Sequence, residues 1–295
     1  MPHMANRTLT KAILQLIRLP NGFSAIGNIV AAFFIATQGH GDIAELLTLI
    51  AISLCFFHGG MVLNDCFDLN EDRRERPERP LPSGQLSVKW AFVGGASLLL
   101  TGLALSLSLG MQSFYIALAL AINVVAYDAI RHQGFVAAGL MGSCRYLNWL
   151  LGLSIIELNA LWALLPLPVF AYIFGLTLLS QQETCATNPK RLLTVAAVMT
   201  VVMLLLVTLW FGQTPHGYLF LAMTLSGWII LMLRLKQLYN DFTPGAVKGM
   251  VIMLLMGIIP FDALLLLAAG LPLAALALLL LMVPGKLIAK QLYMT

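Results

Sequence analysis

The chain has 295 residues, of which 60% are hydrophobic and only 10% charged, and its mean hydropathy is +0.89. A soluble domain carries about 25% charge, so this composition excludes an ordinary water-soluble globule and points to a polytopic membrane protein, read as one unit over residues 1–295. A net charge of +4 gives no reason to expect a nucleic-acid partner, and the four scattered cysteines (Cys55, Cys66, Cys144, Cys185) form neither a disulfide framework nor a zinc site.

Inside a bilayer every backbone amide needs an internal partner, and the apolar runs here are too long for the strands of a barrel. The expected fold class is therefore all-α: a transmembrane helical bundle of nine core spans with room for a tenth at the C-terminus. Residues 1–18 are polar and hold Arg7, Lys11 and Arg18, with no cleavable leader expected. The first span is predicted over 19–37 and the second over 43–63, separated by a link holding Asp42 and Glu45. A charged segment follows, in which Pro77, Pro80 and Pro82 forbid continuous helix.

Residues 90–127 contain no Asp, Glu, Lys or Arg. As one helix they would measure ~57 Å, too long for a ~30 Å hydrocarbon core, so they must be two spans, turning near Gly110. The fifth span is predicted over 135–156 and the sixth over 161–179. A second polar loop, 181–191, faces the same side as the charged segment. Residues 192–233 again lack formal charge and divide at Gly212–Gly217; residues 249–285 hold only Asp262 and divide either at Pro260–Asp262 or at Gly270–Pro272. Of the 17 basic residues, 16 fall at the N-terminus, in 73–89, at Arg131, at 190–191, in 234–248 and in 286–290. The alternate links hold none. This segregation puts the charged segment and the 181–191 loop on the cytoplasmic side.

Residues 64–79 contain ten of the 30 charges in the chain. Asp65, Asp68 and Asp72 are spaced three and four apart, which on a helix puts them on one face with Asn64 at its edge. Stacked like charges repel, so a positive partner is expected there. Mg²⁺ suits such an oxygen donor set, because it is commonly held by one or two carboxylates together with water and substrate phosphates. Arg73 and the arginines beside it can hold phosphate oxygens. The plainer alternative is a solvated helix end paired as Asp68–Arg73 or Asp72–Arg76. Arg145 and Asn148 lie one helical turn apart within the fifth span. An arginine at that depth costs at least about 2.5 kcal/mol on insertion scales, so it should face a polar cavity or a partner. Contact with substrate is one reading and a salt bridge to Asp262 the other. Asn28, seven residues after Asn21, can make an interhelical hydrogen bond, and His58 reads as a packing residue.

Asn64-Asp65-x-x-Asp68-x-x-x-Asp72, followed by Arg76-Pro77-x-Arg79-Pro80-x-Pro82-Ser83-Gly84, resembles the first aspartate motif of the UbiA superfamily of intramembrane prenyltransferases. Arg18-Leu19-Pro20-Asn21 and Gly59-Gly60-Met61 resemble the EboC-like branch. The resemblance implies a UbiA-like bundle with cytoplasmic cap loops at about 66–88 and 181–191. It implies Mg²⁺ on Asn64, Asp65, Asp68 and Asp72, with Asp65 and Asp68 catalytic, and a polyprenyl diphosphate that is ionised and transferred to a small-molecule acceptor. The membrane expected is a bacterial inner (cell) membrane, with lipid as a further partner. Asn21 matches a family position near the site. Tyr127-Asp128-Ala129-Ile130-Arg131 matches the family's Y-x-x-x-K element, with Tyr127 and Arg131 catalytic and Asp128 near substrate. Where the family has D-x-x-x-D, this chain has Ser180-Gln181-Gln182-Glu183, so Glu183 is the one acidic metal ligand expected there, with Gln181 or Gln182 as a neutral oxygen donor. That thinner second half keeps two other classes open: a non-catalytic binder of lipid diphosphates and a small-molecule transporter.

Overall fold

The computed structural model describes residues 2–130, 134–184, 186–215, 217–285 and 287. Among the described residues there is no β-strand. Eight stretches are long and apolar enough to cross a membrane: Leu9–Thr37, Ile43–Phe67, Val88–Leu107, Met111–Ala129, Ala160–Ser180, Arg191–Trp210, Gly217–Asn240 and Pro244–Ala268. The protein is an integral membrane bundle. Helix α7 (Phe135–Leu153) runs beside them and carries Arg145 and Asn148 at its middle.

The polar N-terminus is not a tail. It forms α1 (Pro2–Leu16), whose Ala12 and Leu16 are buried while Leu9 and Ile13 face outward. Leu16 packs with Val62 and Leu81, which docks α1 on the end of the bundle that carries the charged segment. The chain then turns through Arg18, held in the left-handed region (φ 49°), and a 3-10 turn over Leu19–Asn21 started by Pro20. Helix α2 (Gly22–Thr37) descends from there, and α3 (Ile43–Phe67) returns after an Asp42 cap whose carboxylate accepts from Ala44 N–H.

Helix α3 runs on through Asn64 and Asp65 and ends at Asp68, which also starts the short α4 (Leu69–Glu75). Acids in the first turn of α4 and arginines in its last suit the helix dipole. Helices α5 (Val88–Leu107) and α6 (Met111–Ala129) turn at Gly110, whose φ of 105° favours glycine. Helix α5 packs closely on α3 because Gly59 and Gly95 face each other: a Cβ on Gly59 would stand 3.0 Å from the Gly95 carbonyl oxygen. The sixth span is bent at Pro166, between α8 (Ala160–Leu164) and α9 (Leu167–Ser180).

Helices α10 (Arg191–Trp210) and α11 (Gly217–Asn240) divide where expected. Near the C-terminus the structure chooses between the two turns. Pro260 and Asp262 lie inside a span made of α12 (Pro244–Met256) and α13 (Ile258–Ala268), and the chain reverses at Gly270 (φ 79°) before α14 (Pro272–Leu280). The apolar stretch Pro272–Gly285 measures ~21 Å at the helical rise, short of the hydrocarbon thickness. The described links at 38–42, 108–110, 154–159, 211–215 and 269–271 contain no Lys or Arg, so the described basic residues outside α7 lie on the side of α4.

Candidate functional site

The charged stretch sits at the C-terminal end of α3. Its three aspartates are split between α3, the cap and α4, because Asp68, with φ −86° and ψ 5°, interrupts the helix. They still converge. Asp65 and Asp72 are buried, with 5% and 3% of their surface exposed, and Asp68 is half-buried. The proline-ordered segment folds back so that Arg79 Nη1 stands 2.7 Å from Asp72 Oδ2 and 3.5 Å from Asp65 Oδ1. Leu81 is buried beneath it and Pro80 beside it. Arg76 lies at 3.9 Å from Asp72, matching the i,i+4 pairing read from the sequence.

Arg18, aimed by its left-handed backbone, donates to Asp65 Oδ1 at 2.8 Å. This contact escaped the sequence reading, since nothing local to Arg18 announces a partner 47 residues away. Such charge-assisted bonds are roughly twice as strong as neutral ones. Arg73 is exposed, as is Arg74, which donates to the Asn70 carbonyl.

Below the charged layer α2, α3, α6 and α7 line a partly open pocket of about 90 Å³. Its walls are mainly apolar, including Phe56, Phe57, Leu120, Val124 and Met141. Ser53, Tyr127, Asp128, Cys144, Arg145 and Asn148 add polar groups. Gly60 lines it too, where a Cβ would press on Val124 at 2.8 Å. Ser53 is twelve residues from Asp65 on α3, so the pocket reaches ~18 Å into the bundle from the charged mouth.

Arg145 and Asn148 do share one face and both open onto this pocket. Arg145 does not pair with Asp262 directly. It donates to Asn28 Oδ1 (3.0 Å) and Ser24 Oγ (2.8 Å), and its guanidinium lies 5.5 Å from the Phe57 ring centre. Asn28 relays to Asp262 Oδ2 at 2.7 Å, and Trp149 Nε1 donates to Asp262 Oδ1 at 3.2 Å. The expected Arg145–Asp262 bridge thus has an amide inserted in it, because Asn28 faces α7 and α13 together. Asn148 accepts from Ser53 Oγ (2.7 Å) and donates to the Ala25 carbonyl (3.2 Å). His58 is a packing residue as read, within 2.8 Å of the Ile17 carbonyl.

Asp128 lines the end of the pocket nearest the charged stretch, from the last turn of α6. It is 4% exposed, it is hydrogen-bonded by the Asn64 side chain, and its Oδ2 has no partner. Asn21 is exposed at the entry to α2, outside the pocket lining. Arg131 lies outside the described residues.

The 181–191 loop is linked to the aspartates through Arg76, whose charge acts on Glu183 and which lies 3.9 Å from Asp72. Glu183 is half-buried, and the charges acting on it are Lys248 and Arg76. Burial raises its carboxyl above the ordinary range, opposed by those two cations. The amide oxygens expected as neutral ligands are engaged elsewhere: Gln181 Oε1 accepts from Arg191 at 2.7 Å, and Gln182 Oε1 from Asn188 N–H at 3.1 Å. Among the described residues no three of His, Cys, Asp and Glu stand close enough to hold a metal as they are. The donor chemistry nevertheless fits a hard cation: carboxylate oxygens only, including a buried one without a partner.

Comparisons with known proteins agree with this architecture. Digeranylgeranylglyceryl phosphate synthase of Saccharolobus solfataricus is 30% identical over 173 residues, covering 58% of this chain and 61% of that protein. The synthase of the same name from Methanocaldococcus jannaschii is 39% identical over 98 residues, 33% of this chain and 34% of that one. The chain thus spans about six-tenths or less of the curated relatives it matches. A UbiA homologue from Archaeoglobus fulgidus, solved with GPP and Mg²⁺, superposes with a TM-score of 0.65 at 15% identity, covering 91% of this chain and 99% of that one. At that identity the likeness shows the fold. The profile of the UbiA prenyltransferase family matches residues 25–255, which include Asn64–Asp72, Asp128, Arg145, Asn148 and Glu183. By that match, and by the aspartate-bearing mouth over an intramembrane pocket, the chain belongs to the UbiA prenyltransferase family.

Proposed function

We propose that the protein transfers a polyprenyl group from a polyprenyl diphosphate to the hydroxyl of a small polar acceptor within a cell membrane, with its site facing the cytoplasm. The carrying observation is the pair of buried carboxylates Asp65 and Asp72 joined by Arg79, with half-buried Asp68 on the same stretch and buried Asp128 at the end of α6, at the mouth of an apolar-walled pocket. Asn64, Asp65, Asp68 and Asp72 would hold Mg²⁺, which supplies Lewis-acid neutralisation of the leaving diphosphate. Arg79 and Arg18 supply positive charge for phosphate oxygens at the same mouth. Phe56, Phe57 and Leu120 hold the prenyl chain and keep water from the allylic cation left when the C–O bond breaks. The acceptor oxygen then bonds that carbon and its proton leaves with the diphosphate or with solvent.

Arg145, Asn148 and Ser53 give the pocket donors suited to an oxygen-rich acceptor. The relatives named above make a glyceryl phosphate carrying two geranylgeranyl groups, so glyceryl phosphates are the first acceptors to try. Arg18-Leu19-Pro20-Asn21 and Gly59-Gly60-Met61 support placement in the EboC-like branch, for which polyols such as cyclitols are the contrasting panel.

Purified protein with Mg²⁺, geranylgeranyl diphosphate and each acceptor is expected to release diphosphate, and Asp65→Ala and Asp68→Ala to lower the rate 100-fold or more. Undiminished release in both variants sinks the proposal. Tight diphosphate binding without turnover on any acceptor would favour a lipid-diphosphate binder, a reading that the engaged Gln181 and Gln182 keep in play.

A further inference from the structure

We infer that Asp128, at the end of α6, is the second carboxylate arm of the divalent-cation site, in the role expected of Glu183. The inference rests on the prenyl-transfer reading above and deepens it.

Four observations converge on Asp128. It is 96% removed from solvent, and its Oδ2 lacks any hydrogen-bond partner. A buried carboxylate oxygen left alone is costly, so it calls for a cation or a donor that arrives with the ligand. Asn64 ties the same carboxylate to the aspartate motif through a side-chain hydrogen bond. Asp65 and Asp68 act on it electrostatically, so it belongs to their cluster and not to a separate one. It also lines the pocket, where the head of a substrate entering from the charged mouth must pass.

Glu183 has the opposite surroundings. Its neighbours in charge are the cations Arg76 and Lys248, and no aspartate of the motif is among them. A carboxylate already facing two cations has little call for a third. The chain has therefore moved the second acidic arm from the loop after the sixth span to the end of the fourth. Asp65 is held by Arg18 and Arg79 in the arrangement described, so a cation must displace at least one of those contacts to share Asp65 and Asp128.

The test measures metal binding itself. Full-length protein in detergent, in a Cys66→Ser background, is titrated with Mn²⁺ and followed by electron paramagnetic resonance, with a non-ionising geranylgeranyl thiolodiphosphate present. Asp128→Asn is expected to weaken Mn²⁺ at least tenfold and Glu183→Gln less than twofold. Asp128→Cys provides the second readout: a thiolate in the coordination sphere favours Cd²⁺ over Mn²⁺, and that preference is expected to rise at least tenfold over the parent. A residue that only supports the fold would lower both affinities together. The inference is overturned if Asp128→Asn binds Mn²⁺ within twofold of the parent, if Glu183→Gln carries the larger loss, or if Asp128→Cys leaves the Cd²⁺/Mn²⁺ ratio unchanged. Absence of Mn²⁺ binding by the parent protein would instead bring down the prenyl-transfer reading.

Discussion

Replacing Asp262 by leucine tests the buried network that fixes Arg145. Asp262 is 0% exposed and accepts from Asn28 Nδ2 at 2.7 Å and Trp149 Nε1 at 3.2 Å. Among the described residues it is the carboxylate whose charge acts on Arg145. Leucine removes both acceptors and that charge. Hydrogen bonds inside membrane proteins average about 0.6 kcal/mol, so two of them amount to about 1 kcal/mol. Stranding a buried charge by deleting its partner costs about 3–5 kcal/mol, so the guanidinium dominates. A loss of about 3–5 kcal/mol is expected for Asp262→Leu, read by SDS-titration unfolding of the ligand-free protein. Arg145→Met combined with Asp262→Leu should recover most of it, giving a coupling of at least about 1 kcal/mol in the double-mutant cycle. A single variant within about 0.5 kcal/mol of the parent, or strictly additive effects, would refute the idea that Asp262 holds Arg145 in place through Asn28.

Two further outcomes follow from local geometry. Because burial lifts the Glu183 carboxyl, the folded protein binds that proton more tightly than the unfolded chain does, so its contribution to stability is greatest at low pH and declines as pH rises from the ordinary carboxylate value of 4.5 through the raised one. Glu183→Gln should flatten that part of the pH–stability curve; an unaltered slope would contradict the assignment. Gly152 lets α7 lie against α2, since a Cβ there would stand 2.6 Å from Ala32 Cβ and 3.1 Å from the Ile29 carbonyl oxygen. Gly152→Ala should cost about 1–3 kcal/mol of stability by forcing the two helices apart, measured by the same unfolding titration. Neutral behaviour would mean that this interface relaxes freely.

The aspartate mouth also has a structural consequence for the N-terminal helix. Leu16 of α1 packs with Val62 and Leu81, and Arg18 two residues later pairs with Asp65. The segment that reads only as a polar N-terminus is thereby part of the wall around the site. Its left-handed Arg18 is the joint at which the chain passes from the surface of the bundle into its first span.

What the sequence by itself determined follows from the expense of charge and bare backbone in lipid. Charge-free runs of 38 and 42 residues must each be two spans, and Gly110 and Gly212–Gly217 are where they divide. The segregation of basic residues orients them, and the spacing of Asp65, Asp68 and Asp72 marks the mouth. Arg145 and Asn148 announce an internal cavity for the same reason. Tertiary structure decided what local pattern cannot carry. The turn after the span Pro244–Ala268 lies at Gly270 and not at Pro260, because packing buries Asp262 against Trp149 and Asn28. Whether Arg145 meets Asp262 directly or through Asn28 depends on three helices meeting at one depth. The partners of Glu183 and Asp128 depend on which loops and helix ends meet at the end of the bundle that carries α4. Periodicity and composition report what one segment can tolerate. Contacts spanning 47 to 234 residues, such as Arg18–Asp65 and Asn28–Asp262, are fixed only when the helices assemble.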